Sequence, residues 1–144
     1  MDAASVAEFR VRLNAFAAAR LTAEDLRPIL DIDAVIDLRD LDDGAVADVF
    51  GLAPFGFGNP GPCLAALNVE IVGPPQIVKD RHMRIRVRQN GKFLSAMGWN
   101  MAELAAKIVP GARVDIAFSL EEDDFSASRG YSPWQAILKD IRVQ

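Results

Sequence analysis

The second half of this 144-residue chain predicts a mainly β domain of five short strands, with one helix between the third and the fourth. Three observations support this prediction. Apolar and polar residues alternate along several stretches, which is typical of strands with one buried face. Asn90-Gly91 between two such stretches is a strong hairpin signal. Asn100 and Glu103 have the spacing of a capping box in front of a short apolar helix.

The predicted strands are Leu64 to Val72, Arg81 to Gln89, Lys92 to Trp99, Arg113 to Leu120 and Trp134 to Val143. The helix follows Asn100 and ends before Pro110-Gly111. Three strands, a helix and two strands is the order of an oligonucleotide-binding (OB) barrel. Five short strands alone would also suit an SH3-like barrel, so the hairpin and the position of the helix favour the OB fold.

Residues 1–53 predict a small α/β appendage, which is too short to build a core alone. An amphipathic helix is predicted from about Val6 to Arg20, because apolar residues recur there at helical steps, at Val6, Phe9, Leu13 and Phe16. From Leu30 to Leu38, apolar and charged residues alternate, which predicts a strand with one solvated face. Asp42 or Asp43 can cap a further short helix.

Residues 54–63 predict an irregular connector, so the predicted domain boundaries are 1–53, 54–63 and 64–144. Pro54 to Pro62 reads PFGFGNPGP, and six of these nine residues are Gly or Pro. Neither a helix nor a central strand tolerates such a composition. Phe55 and Phe57 need somewhere to be buried, which suggests a stiff connector held in place by two aromatic side chains.

The composition, with 51% hydrophobic and 25% charged residues, is that of a globular protein. One cysteine, Cys63, allows no internal disulfide and fits a reducing compartment. The sequence shows no signal-peptide pattern and no apolar run of membrane-spanning length. We therefore expect a cytoplasmic protein with no membrane partner.

The net charge of −4 is unevenly distributed along the chain. Residues 1–60 hold five Arg and eleven acidic residues, whereas residues 61–144 hold eleven Lys or Arg and nine acidic residues. The chain as a whole does not indicate nucleic-acid binding, but its second half allows it.

The second predicted strand carries the clearest functional pattern. One face presents His82, Arg84, Arg86 and Arg88, and the other face presents apolar residues. Side chains two residues apart on a strand are about 7 Å apart, so the three guanidinium groups form a row. Arginine suits phosphate because it is always charged and its planar fork matches the oxygens. OB barrels bind oligonucleotides on the face of strands two and three.

Three aromatic residues are candidates to stack bases beside this row, namely Trp99, Tyr131 and Trp134. The alternative is a solvated basic face with both Trp in the core. Glu121-Glu122-Asp123-Asp124 opens the loop between strands four and five, where it would repel phosphate unless it points away. Any affinity for single-stranded DNA should therefore be weak and salt-sensitive.

The sequence predicts no catalytic residue, no metal ligand and no cofactor in this chain. Its only His and its only Cys, His82 and Cys63, lie nineteen positions apart without a recognisable orienting partner. Asp31, Asp33 and Asp37 share a strand face, but solvent is the simpler explanation for them. Walker, GxSxG and GxGxxG motifs are absent from the sequence.

The proline–glycine stretch resembles the PFGxGNPxP signature of the RecJ family, bacterial single-strand-specific DNA exonucleases of the DHH class. Asp25-Leu26 to Ile32-Asp33 is similar to the passage that precedes this signature. His82-Met83-Arg84-Ile85 and Tyr131 to Arg142 resemble the second and the closing strands of the family's OB domain.

The resemblance implies a C-terminal part of a 5′–3′ exonuclease of DNA repair and recombination: the end of its second domain, then its OB domain. In that family, manganese or magnesium is held by DHH motifs upstream, and a GGH motif helps to bind phosphate. Neither motif occurs here, so no catalytic residue is carried over. The implied partners are single-stranded DNA, the catalytic domains of the same polypeptide and a repair protein. The alternative is a docking module without DNA affinity of its own.

Overall fold

The computed structural model describes residues 3–130 and 132–144, and the chain divides into two compact units, Met1–Asp31 and Ile32–Gln144. In the first unit, helix α1 spans Ala3–Ala18, which agrees with the helical spacing of the apolar residues. Its apolar residues Val6, Phe9, Leu13 and Phe16 are each at least half exposed. Thr22 then donates backbone and hydroxyl hydrogen bonds of 2.8 and 2.7 Å to Asp25.

The second unit is built mainly from strands. It contains β1 (Ala34–Val35), a 3-10 helix (Leu38–Asp40), α2 (Asp43–Gly51), β2 (Leu64–Ile71), β3 (Gln76–Val78), β4 (His82–Gln89), β5 (Lys92–Gly98), a second 3-10 helix (Ala102–Lys107), β6 (Arg113–Glu122), α3 (Asp124–Ala127) and β7 (Trp134–Val143). The five long strands confirm the predicted order of three strands, a helix and two strands.

These strands form one sheet in the order β1-β2-β6-β7-β5-β4-β3, in which β2 also pairs with β4. Five strands therefore pair in a cycle, β2-β6-β7-β5-β4. Two contacts in the cycle are short, since β2 meets β4 only at Glu70–Arg88 and Ile71–Val87, and β5 meets β7 only at Ala96–Ala136 and Met97–Ile137. This is the connectivity of a partly open OB barrel.

The core lies between the inward faces of these strands. Its largest fully buried side chains include Phe118 of β6, Ile85 of β4 and Leu138 of β7. Leu38, Leu41 and Val46 belong to the same core, with at most 4% of their surface exposed. Residues 32–53 therefore pack with the barrel, and the boundary between the two compact units falls before residue 32, upstream of the predicted boundary at residue 53.

The predicted strand from Leu30 to Leu38 is wrong, because only Ala34–Val35 pairs, in parallel with β2. Two acidic residues of this stretch, Asp33 and Asp37, accept hydrogen bonds from backbone amides instead of lining a solvated strand face. The Asp33 carboxylate accepts from the backbone N–H of Cys63 at 2.8 Å. Asp37 caps the first 3-10 helix through Arg39 N. Of the two predicted candidates, Asp42 and not Asp43 caps α2, through Ala45 N.

The predicted cap by Asn100 is also wrong. Asn100 has φ of +57°, and the N-cap position of the following 3-10 helix is Met101, which makes no side-chain cap. Two elements were missed by the sequence patterns, β3 after the Gly73-Pro74-Pro75 turn and α3 at the acidic stretch.

The proline–glycine connector forms a tight turn that presents an aromatic side chain. The backbones of Gly56 and Asn59 exchange hydrogen bonds of 2.8 and 3.1 Å, and the Asn59 side chain donates to the carbonyls of Leu52 and Pro54. Phe55 packs against Gly61, but Phe57 at the tip is fully exposed. The expectation that both aromatic residues pin the connector is therefore wrong for Phe57.

Asp37 links the first 3-10 helix to the β4–β5 hairpin. Its carboxylate accepts from Arg39 N and Nε at 2.9 and 3.2 Å and from Asn90 Nδ2 at 2.6 Å. Hydrogen bonds from the Arg39 side chain and then its backbone lower the pKa of Asp37 from 3.8 to about 2. The folded protein therefore binds this proton less readily than the unfolded chain.

We expect Asp37→Asn to flatten the loss of stability in acid. The contribution of Asp37 is present in full above its ordinary pKa of 3.8 and is lost as the pH falls towards 2. Urea unfolding followed by circular dichroism should show a smaller decline between pH 4 and pH 2 for this variant than for the wild type. Asp48→Asn, an exposed acid of α2, is the control. Equal declines in the wild type and Asp37→Asn would contradict the prediction.

Candidate nucleic-acid interface

The outer face of β4 and β5 is set by the hairpin between them. Asn90 and Gly91 form a two-residue turn with φ of +49° and +85°, and Gln89 faces Lys92 across it. The register then places Arg88 opposite Phe93, Arg86 opposite Ser95 and Arg84 opposite Met97. Facing residues of an antiparallel pair share one side of the sheet. The three arginines are exposed and the intervening Met83, Ile85 and Val87 are buried, as the alternation predicts.

Phe93 is a member of this face that the sequence reasoning missed. It is 44% exposed, and the guanidinium carbon of Arg86 lies 4.6 Å from its ring centroid. A cation over an aromatic face at this distance is attracted by the ring quadrupole. The signal was present in the sequence, because a two-residue hairpin at Asn90-Gly91 already places Phe93 opposite Arg88.

Arg84 lies where two grooves meet. One, of about 480 Å³, runs beside the β6–β7 connection and includes Asp123, Ser126 and Trp134. The other, of about 660 Å³, runs beside the β2–β3 connection and is lined by Gly73 to Gln76. Both grooves include Arg84, Phe93 and Ser95. The β4–β5 face is thus a continuous surface flanked by the two connections that border the ligand face of OB barrels.

The three arginines differ in what holds them. Arg88 Nη2 donates to both carboxylate oxygens of Glu70 at 2.9 Å. Within residues 3–130 and 132–144, neither Arg84 nor Arg86 forms an ion pair with a carboxylate. Arg84 and Arg86 are therefore the more available of the predicted phosphate ligands, whereas Arg88 is held in an ion pair with Glu70.

The predicted aromatic residues are found in three situations. Trp134 is half-buried, packs on the core and also lines the groove beside Arg84. Trp99 is 47% exposed at the end of β5 and meets the His82 ring edge-on, with centroids 4.8 Å apart. Tyr131 lies outside the described residues. The structure thus brings Trp134 to the Arg84 groove and Trp99 to the start of β4.

His82 is buried, with 6% of its surface exposed, so the predicted row of polar side chains on this face is exposed only from Arg84 onwards. Its Nδ1 accepts from the backbone N–H of Asn100 at 3.0 Å, and Trp99 covers the ring. Burial lowers the pKa of His82, and the charges of Arg81 and Lys79 lower it further. The imidazole is therefore a neutral packing group at pH 7.

The acidic stretch divides into two parts. Glu121 and Glu122 end β6 and are exposed. Asp123 caps α3, accepting from Ser126 N at 2.9 Å and from Ser126 Oγ at 2.6 Å, and it lines the groove that contains Arg84. These Ser126 hydrogen bonds, and then the charge of Arg84, lower the pKa of Asp123. The Asp123 carboxylate is therefore ionised at neutral pH, and its charge opposes phosphate in this groove.

The remaining candidates for chemistry in the sequence were Cys63 and a group of acidic metal ligands. Cys63 is buried, and burial followed by the charge of Asp33 raises the pKa of its thiol. No group of His, Cys, Asp or Glu side chains that could hold a metal ion is found in the part of the chain that the structure describes. Among the same residues, no helix is long and apolar enough to cross a membrane.

The connectivity of this five-stranded barrel places the chain in the class of OB-fold proteins. A family model described as the RecJ OB domain matches residues 32–140, and the chain therefore belongs to the RecJ family through this domain. It is 30% identical over 144 residues to the single-stranded-DNA-specific exonuclease RecJ of Bacillus subtilis strain 168. That alignment covers 99% of this chain but only 18% of the relative. The predicted family resemblance is confirmed.

Solved structures with a similar fold come from different functional classes. The mitochondrial single-stranded DNA binding protein Rim1 of S. cerevisiae shows 14% identity and a TM-score of 0.41, over 56% of this chain and 90% of that one. An aspartyl tRNA synthetase from Entamoeba histolytica shows 10% identity and a TM-score of 0.46, over 81% of this chain and 28% of that one.

The only histidine of the chain allows a direct measurement of its protonation. We expect the imidazole proton signals of His82 to titrate with a midpoint below the ordinary pKa of 6.5, because the buried ring loses solvation when it becomes charged. Trp99→Ala uncovers the ring and should move the midpoint back towards 6.5. A midpoint at or above 6.5 in the wild type, measured by NMR, would contradict the buried neutral state.

Proposed function

We propose that this chain is the C-terminal OB-domain region of a RecJ-like single-stranded-DNA exonuclease and that its β4–β5 face binds or guides the DNA strand. The observation that carries the proposal is the joint position of Arg84, Arg86 and Phe93 on one open face between the two flanking connections. Guanidinium groups supply attraction to phosphates, and an exposed ring supplies a stacking platform. Single-stranded DNA fits this combination because its bases are free to stack.

Each side chain has a distinct role in this proposal. Arg84 and Arg86 contact phosphates, and Phe93 stacks a base that enters from the β2–β3 groove. Trp134 offers its exposed edge in the second groove, and Trp99 extends the aromatic surface beyond Arg84. Contacts of this type do not distinguish one base from another, since every base has an aromatic face. Asp123 weakens phosphate binding next to Arg84, so the affinity is weak and falls steeply with salt.

The proposal assigns cleavage to other domains of the exonuclease and strand handling to this one. The DHH and GGH motifs of the family are absent from the sequence, and the described residues offer no metal cluster. Manganese or magnesium would act in those other domains. The role in DNA repair and recombination belongs to this same proposal and follows from the family's activity on single strands.

A second candidate function is that of a domain-docking or protein-binding module. The fully exposed Phe57, which is held out by the Gly56–Asn59 turn, favours it. A single aromatic side chain at a stiff tip can fill an apolar pocket on a neighbouring domain. In that case, the isolated chain binds no DNA in a salt-dependent manner.

We expect the double variant Arg84→Ala/Arg86→Ala to bind a fluorescent 20-nucleotide oligo-dT more weakly than the wild type. Removing two phosphate contacts should lower the slope of log affinity against log salt by about 1.4 and cost roughly tenfold or more in affinity at 50 mM salt. Fluorescence anisotropy across a salt series measures both quantities.

The control for these charges is Arg10→Ala/Arg12→Ala, which removes two exposed arginines from α1 in the other compact unit. It should retain the wild-type affinity and slope. A wild type that shows no salt-dependent binding would favour the docking module. A double variant at Arg84 and Arg86 with wild-type behaviour would rule out this face as the binding surface.

Phe93→Leu tests the stacking role separately from charge. We expect it to weaken oligonucleotide binding by about 1–3 kcal/mol while leaving the salt slope unchanged, because a base loses its aromatic partner but no phosphate contact is lost. Phe93→Trp should restore the affinity. Phe57→Ala is the control, since it removes an exposed aromatic ring from the connector and leaves β4 and β5 unchanged. Wild-type affinity for Phe93→Leu would exclude stacking at this position.

A further inference from the structure

A second basic site lies at the far end of β4, where three charged side chains meet on three neighbouring strands. Glu70 of β2 pairs with Arg88 of β4 on one side and with Arg113 of β6 on the other. Arg88 Nη2 donates to both oxygens of the Glu70 carboxylate at 2.9 Å, and Arg113 Nη2 lies 3.8 Å from Glu70 Oε2. Two guanidinium groups therefore converge on one carboxylate, which leaves a net charge of +1.

The surroundings of these three residues are open and polar. They line a groove of about 430 Å³ together with Leu67, Asn68, Gln89, Asn90 and Gly91. The side chains of Arg88, Arg113 and Glu70 are 47%, 52% and 26% exposed. Arg113 Nη1 also donates to the carbonyl of Asn68 at 3.1 Å, which fixes its guanidinium in the groove. An incoming anion can reach both arginines from solvent.

In the contact between Arg88 and Glu70, one nitrogen, Nη2, donates to both carboxylate oxygens, and two oxygens of a phosphate group can take the same place. Carboxylates and phosphates both accept hydrogen bonds from an arginine fork. Exposed ion pairs contribute little to stability, so an exchange of one anion for another costs little. Arg88 also lies on the same side of β4 as Arg84 and Arg86, so the groove continues the candidate interface beyond the hairpin end of the strand.

We propose that Arg88 and Arg113 form an additional subsite for a backbone phosphate of a single nucleic-acid strand, and that Glu70 occupies the position of this phosphate in the free protein. Glu70 thereby competes with the phosphodiester group and keeps this subsite largely unfilled in the wild type. This inference rests on the proposed function of the β4–β5 face, to which it adds a longer path and an internal competitor. The alternative is that the Glu70–Arg88 pair only closes the short seam between β2 and β4.

Glu70→Gln tests the inference with a 20-nucleotide oligo-dT. Because the amide carries no charge, we expect tighter binding than in the wild type and a steeper dependence on salt. Each additional phosphate bound by the protein should steepen the slope by about 0.7, which raises the ratio of the affinities at 50 and 200 mM salt by about 2.6-fold. Asp48→Asn, which removes one exposed acid from α2, is the matched control and should change neither quantity by this amount.

The triple variant Glu70→Gln/Arg88→Ala/Arg113→Ala separates this subsite from a general change of charge. The tighter binding should disappear in this variant, and tighter binding that persists would overturn the inference. Wild-type binding by Glu70→Gln, with weakened binding by Arg84→Ala/Arg86→Ala, would overturn the inference and leave the proposed function intact. Full binding by the latter variant would overturn the proposed function.

Urea unfolding of Glu70→Gln tests whether the barrel remains folded. Should this variant not fold, Glu70→Asp replaces it, since the shorter side chain keeps the negative charge at the seam but withdraws it from the guanidinium groups. The same direction of change is expected. Unchanged binding by a folded Glu70→Asp variant would then overturn the inference.

Discussion

The register of the β4–β5 hairpin decides which side chains of these two strands enter the core and which face solvent. Asn90 and Gly91 adopt the left-handed conformations that a tight two-residue turn requires. This turn fixes which residues of the two strands face each other, and a slip of one residue would exchange the two faces. Met83, Ile85 and Val87 would then be exposed and the arginines buried. The hydrophobic core and the basic face are thus two consequences of one turn.

The protein's own anions determine how much of this basic face is available. Asp123 lines the groove beside Arg84, Glu70 holds Arg88, and Phe93 rather than a carboxylate accompanies Arg86. Arg86 and Arg88 are therefore each in contact with a partner, whereas Asp123 acts on Arg84 only through its charge, and the two carboxylates compete with phosphate. In an acidic protein, this arrangement keeps cations on the surface without a strong attraction to every polyanion. It favours binding that is reversible and sensitive to salt.

The sequence predicts what depends on neighbouring residues and fails where distant residues meet. Alternation and the Asn90-Gly91 turn predict β4 and β5 closely, and Asp42 as the cap of α2 follows from local spacing. The role of Glu70 could not be predicted, because its partners come from strands 18 and 43 residues further along. The burial of His82 likewise depends on the ring of Trp99. Alternation misled at residues 30–38, where acids bind backbone amides.

Acidic and basic residues of the barrel unit lie in different segments of the chain. Residues 41–63, which include α2 and the Phe57 turn, contain three acidic residues and no Lys or Arg. Strand β4, in contrast, is positively charged, with three arginines within five residues. Under the proposed function, the arginines of β4 attract the phosphates of a nucleic-acid strand, whereas the acidic segment contributes no cation to that contact. In the two proposed functions, protein docking would use Phe57 of the connector, and strand binding would use side chains of β4 and β5. Since the two functions depend on different residues, one does not exclude the other.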